Sequence, residues 1–68
     1  IIYPNPSTNI LNIDGLSSET EYKIYNLIGS LIMSGKTNKA IDISDLIQGN
    51  YIIKILGNKQ LIMKFIKQ

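Results

Sequence analysis

The sequence contains no cysteine, histidine, tryptophan, arginine or valine. Without cysteine there is no disulfide staple, and pairing says nothing about the redox compartment. Without histidine and cysteine the usual ligands of zinc, haem and iron–sulfur clusters are missing. Ser44-Asp45 likewise makes no catalytic triad, because no imidazole can stand beside the serine. All seven basic residues are lysines, set against five acids for a net charge of +2. A nucleic-acid binder clusters its cations and uses arginine forks for bidentate contacts. Here the lysines are scattered, with Lys64 and Lys67 the close pair near the end, so no nucleic-acid partner is expected. Long hydrophobic runs are absent too. Lysine, asparagine or aspartate interrupts each one below membrane-spanning length, and no signal peptide opens the chain.

What is present is a period of two. Tyr51, Ile53 and Ile55 alternate with Ile52 and Lys54, and Ile41 and Ile43 flank Asp42. Leu11 and Ile13 share a side, as do Leu61, Met63 and Phe65 against Ile62, Lys64 and Ile66. These are strand patterns. Asp14-Gly15, the Gly29 region, Gly35 to Asn38, Gly49-Asn50 and Gly57-Asn58 supply turn signals between them. Gly57-Asn58 is placed as a two-residue hairpin turn. Ser18-x-x-Glu21 resembles a helix capping box, but Tyr22 and Ile24 alternate with Lys23 and Gly29 comes early, so that segment also reads as strand. The fold expected is all-β: one small antiparallel immunoglobulin-like β-sandwich of six to seven short strands, spanning residues 1–68. At 68 residues it sits near the lower limit of what folds alone.

The opening "IIYPNP" poses a separate question. Both prolines lack an N–H, and both push the residue before them towards extended backbone. Such a stretch can edge a sheet but cannot pair as an inner strand. It reads as the stiff start of a module that follows another segment.

Few motifs promise chemistry. "GSLIMSGKT" has five residues between Gly29 and Gly35 where a phosphate-binding loop needs four, and Leu31, Ile32 and Met33 belong in a strand. Asp14, Asp42 and Asp45 match no calcium loop, and Asp45 after Ser44 fits a turn. Tyr3, Tyr22, Tyr25 and Tyr51 are the aromatic set for a carbohydrate-binding accessory module, the alternative function, although tryptophan is missing. Neither an enzyme nor a cofactor is expected.

Four pieces taken in order are more specific: "YPNP" at 3–6, "IYNLIGSLI" at 24–32, "IDISDLIQGNYIIKI" at 41–55 and "KFIK" at 64–67. Together they resemble the C-terminal sorting domain of the type IX secretion system, in the type A subfamily that begins with YPNP. The resemblance runs from about Ile2 to Lys67, and the one departure is Gln68 after the usual last lysine. It implies that Tyr3, Pro4, Asn5 and Pro6 form a stiff start where the domain leaves its cargo. Tyr25 and Gly29 would form a strand–turn motif, with Gly29 in a conformation closed to other residues. Leu46 would plug the core, Gly49 would turn, and Tyr51 would begin an inner strand. Lys54, Lys64 and Lys67 would be the basic positions, with exposed Lys64 and Lys67 the foremost contacts to the machinery. The resemblance further implies a non-catalytic tag on an N-terminal cargo protein of Bacteroidota. Its partners would be the outer-membrane translocon and a sortase-like protease, and its route the periplasm, then the cell surface or medium.

Overall fold

A computed structural model describes residues 2–3, 9–13, 16, 18–57 and 60–68. Seven strands follow one another: β1 (Ile2–Tyr3), β2 (Ile10–Ile13), β3 (Thr20–Asn26), β4 (Leu31–Thr37), β5 (Ala40–Asp42), β6 (Gly49–Leu56) and β7 (Gln60–Lys67). They form two antiparallel sheets, ordered β1-β2-β5 and β4-β3-β6-β7. The expected all-β sandwich is therefore what the chain forms. In immunoglobulin lettering the two sheets are A-B-E and C′-C-F-G. β1 lies at the edge of its sheet, where a strand running into proline belongs. Pro4, Asn5, Pro6 and the Asp14-Gly15 turn lie outside the described residues.

Alternation determines which face of each strand is buried. Leu11, Ile13, Ile41 and Ile43 point inward from the smaller sheet's side. Tyr22, Ile24, Tyr51, Ile53, Ile55 and Phe65 meet them from the larger sheet, and all ten form one core. Each fully buried aliphatic side chain stabilises such a core by about 1.5–3 kcal/mol. The radius of gyration is 10.8 Å, against roughly 11 Å for a tightly folded chain of this length.

The corners are pinned by small polar groups. At the β4–β5 corner the buried Thr37 hydroxyl donates to the Ala40 carbonyl at 2.6 Å and accepts from the Lys39 and Ala40 amides. At the β5–β6 corner the Asp42 carboxylate accepts from the Ser44 amide at 2.9 Å, and Leu46 N–H donates back to the Ile43 carbonyl. Leu46 then packs against the core, and the Tyr51 hydroxyl reaches back to the Ile47 carbonyl. A tyrosine early in the sixth strand, bonded to backbone a few residues upstream, is the tyrosine corner of immunoglobulin-like sandwiches.

Three details differ from the sequence reading. Gly35 is in β4 rather than in a turn, because the Tyr22 ring covers it; a Cβ there would meet the Tyr22 hydroxyl oxygen at 3.0 Å. Gly49-Asn50 likewise belongs to β6. Leu56 pairs with Gln60, so three residues join β6 and β7 instead of the two in a Gly57-Asn58 turn.

Candidate recognition surface

Because β3 and β6 are inner strands of the larger sheet, residues one position off the core register face outward together. On β3 these are Glu21, Lys23 and Tyr25; on β6 they are Ile52, Lys54 and Leu56. β7 adds Gln60, Ile62, Lys64 and Ile66 through its pairing with β6. β4 adds Lys36 and Ser34, and a bulge between Met33 and Leu31 leaves Ile32 without a counterpart on β3. The result is an outward face, half-buried along β3 and β6 at its centre and exposed along β7 and β4, that is both cationic and apolar.

Its centre is unusual. Lys23 stands directly opposite Lys54, and like charges in that position repel. Lys54 leans away, placing Nζ 5.6 Å from the centroid of the Tyr25 ring, a cation–π contact. Beside it Tyr25, Leu27, Ile28, Ile52, Lys54 and Ile62 line a shallow groove of about 410 Å³. Ile28 at its rim is 90% exposed.

The β3–β4 turn holds that rim. Asn26 Oδ1 accepts from the amides of Ile28, Gly29 and Ser30, each at 3.0 Å. Gly29 N–H also donates to the Asn26 carbonyl, and Gly29 adopts φ +100°, the left-handed geometry expected of it. This is a type I turn closed by a glycine bulge. Leu27 and Ile28 occupy its two central positions, so the turn itself displays them to solvent.

The remaining positions named from the sequence divide clearly. Leu46, Gly49 and Tyr51 build the β5–β6 corner, with Gly49 at φ +154°. Tyr51 stacks on Phe65 at 5.6 Å between centroids. Tyr51 and Tyr22 are buried, so neither forms a platform for sugar stacking. Burial also raises the Tyr22 phenol above its ordinary pKa. Lys54 and Lys64 lie on the outward face as described. Lys67 does not share that exposure. It follows Phe65 by two residues and so points to the core side; it is 7% exposed, and its ammonium donates to the Gln68 carbonyl at 3.3 Å. The Ser44 hydroxyl and amide hold Asp42 below its ordinary pKa, with the charge of Lys67 acting in the same direction.

Lys23, Asn26, Leu27, Ile28 and Ile62 belong to this surface yet were not singled out from the sequence. The period-two pattern held the signal for Lys23, since it shares parity with Tyr25.

Among the described residues no cluster of three potential metal-binding side chains occurs, and no helix is long and apolar enough to cross a membrane. A small sandwich that gathers exposed cations and apolar groups on one sheet has the form of a binding module, a domain that presents a surface. The family is more definite: residues 1–68 match the secretion system C-terminal sorting domain, and the chain belongs to that family. Its role is that of a C-terminal sorting signal for type IX secretion, which makes the protein that carries it secreted or displayed at the cell surface. The family is one of signals and not of catalysts. A search of curated proteins finds no match.

Proposed function

We propose that residues 1–68 are a type A sorting tag, beginning with the YPNP stretch, on the C-terminal side of a larger Bacteroidota cargo protein. The cargo crosses the inner membrane on its own signal peptide. The folded tag is recognised in the periplasm and carried through the outer-membrane translocon. A sortase-like protease then removes it, and the cargo is left anchored at the surface or released. The observation that carries this reading is the family match along the whole of residues 1–68.

Recognition of a folded surface has two supports. Lys54 and Lys64 project from the outward face of the larger sheet. β7 forms an edge of that sheet, the position at which an added strand can pair.

The test is a fusion of residues 1–68 to the C-terminus of a fluorescent reporter that carries an inner-membrane signal peptide. It is expressed in a Bacteroidota host with and without the translocon. Surface or medium fluorescence only in the intact host is the expected result. Periplasmic retention in both strains, with the domain folded, overturns the reading.

A further inference from the structure

The outward face of the larger sheet carries a charge conflict that the fold relieves only in part, by turning Lys54 onto the Tyr25 ring. Lys23 and Lys54 are paired directly across adjacent inner strands, so their Cβ atoms lie about 5 Å apart. Lys64, opposite Ile52, brings a third ammonium diagonally next to Lys54. Among the described residues of that face the acid is Glu21, two residues from Lys23 and diagonal to Lys54, but the residue directly opposite it on β4 is Lys36, so one carboxylate is shared among several cations. A glutamate at position 23 would satisfy the pair and stabilise the sheet; a lysine there weakens it. Residues that break a local rule without benefit to the fold mark places where another requirement operates.

The apolar part adjoins the charges. Leu27 and Ile28 are held out by the Asn26-centred turn, and Ile62 is 59% exposed beside Lys54. A ligand that satisfied this surface would supply carboxylates to Lys23, Lys54 and Lys64 and an aliphatic or aromatic side chain to the groove. We propose that this face docks a protein segment that combines acidic and apolar side chains, presented by the secretion machinery. The inference rests on the sorting role described above and names the chemistry of the partner. Charge complementarity selects that occupant, because a second copy of the same face would set lysine against lysine. An anionic membrane could answer the lysines as well, but the adjoining groove of about 410 Å³ is a local depression lined by Tyr25, Leu27, Ile28, Ile52 and Ile62, which a few apolar side chains of a protein segment fill and a flat lipid surface does not.

Lys23→Glu is the decisive variant because the two roles move it in opposite directions. Relief of repulsion should raise the melting temperature of the purified chain, while loss of the cation should cut reporter export about tenfold. Ile62→Asp should cut export as well. Lys39→Glu, an equal charge change at the distant β4–β5 corner, should leave export unchanged. If the wild-type fusion is exported and Lys23→Glu is exported equally, the docking surface is wrong and the sorting role stands. If the wild type itself stays in the periplasm, the sorting role fails first.

The partner's class is read by NMR titration of the isotope-labelled chain with a short peptide alternating leucine and aspartate, and separately with phosphatidylglycerol vesicles. Salt-sensitive shifts confined to Lys23–Ile28, Ile52–Lys54 and Ile62–Lys64, seen with the peptide, support the proposal. Binding to the vesicles alone, or peptide shifts spread over other faces, overturns it.

Discussion

At the scale of single residues, the most concentrated local design is the β3–β4 turn. One asparagine side chain satisfies three successive backbone amides, and one glycine accepts the φ of +100° that closes the loop. Gly29→Ala forces a Cβ into left-handed geometry at a cost of about 1–2 kcal/mol. Nothing lies within 4 Å of that added Cβ, so the penalty is conformational and not a clash. For a domain this small it lowers the melting temperature by roughly 7–14 °C. Asn26→Ala should cost about 1 kcal/mol, while Asn26→Asp keeps the acceptor and most of the stability. Calorimetry on the three variants gives that order or disproves the account of the turn. Tyr22 provides a pH test at the same scale. Its folded pKa is raised by burial from 10.0, so the native state holds its proton more tightly than the unfolded chain. The stability linked to it is fully present below about pH 10 and is lost as pH rises towards the folded pKa. Tyr22→Phe should therefore flatten the alkaline fall in melting temperature, measured between neutral pH and pH above 10. An equal fall in both proteins would remove Tyr22 as its source.

At the scale of elements, the strands whose two faces differ were the legible ones. In β3, β5 and β6 every buried residue is one that alternation places inward, because those strands have core on one side and solvent on the other. β7 was legible only in its second half. Phe65 is 1% exposed, but Leu61 and Met63, of the same parity, are 44% and 37% exposed. The smaller sheet has three strands against four, and the outer edge of β7 is left partly uncovered. Lys67 departs from its expected exposure for a related reason. Its residue type suggested solvent, whereas its parity with Phe65 placed it inward, and parity decided the outcome. Gly35 has the look of a turn residue because a sequence cannot show that the Tyr22 ring covers it from the next strand. The β5–β6 corner can be tested as one device. Tyr51→Phe removes the hydroxyl bond to Ile47 and keeps the ring stack on Phe65, so urea titration should show a loss of about 1 kcal/mol. Tyr51→Leu also removes the stack and should lose more. Equal losses in the two variants would mean that the hydroxyl carries the whole contribution and the stack none.

At the scale of the whole molecule, the question is whether the machinery reads a folded surface or a stretch of chain, and the two C-terminal lysines separate these. Lys64 is exposed on the outward face, while Lys67 is buried with its charge felt by Asp42. Lys64→Glu is a surface change, so its effect on stability should stay within about 0.5 kcal/mol. Lys67→Glu places a carboxylate where an ammonium was buried and near another carboxylate, so its melting temperature should drop clearly. Ile53→Ala, at a site with no exposure, costs about 2–5 kcal/mol, comparable with all the stability that a core this small supplies. If a folded surface is read, Lys67→Glu and Ile53→Ala should lose export only as far as they unfold, and growth at lower temperature should restore Lys67→Glu. Lys64→Glu should stay defective at every temperature, because cooling does not return a missing cation. Were Ile53→Ala exported as well as wild type while largely unfolded, the signal would reside in linear sequence. The outward face would then have no part in sorting, since it exists only when β3, β6 and β7 are paired.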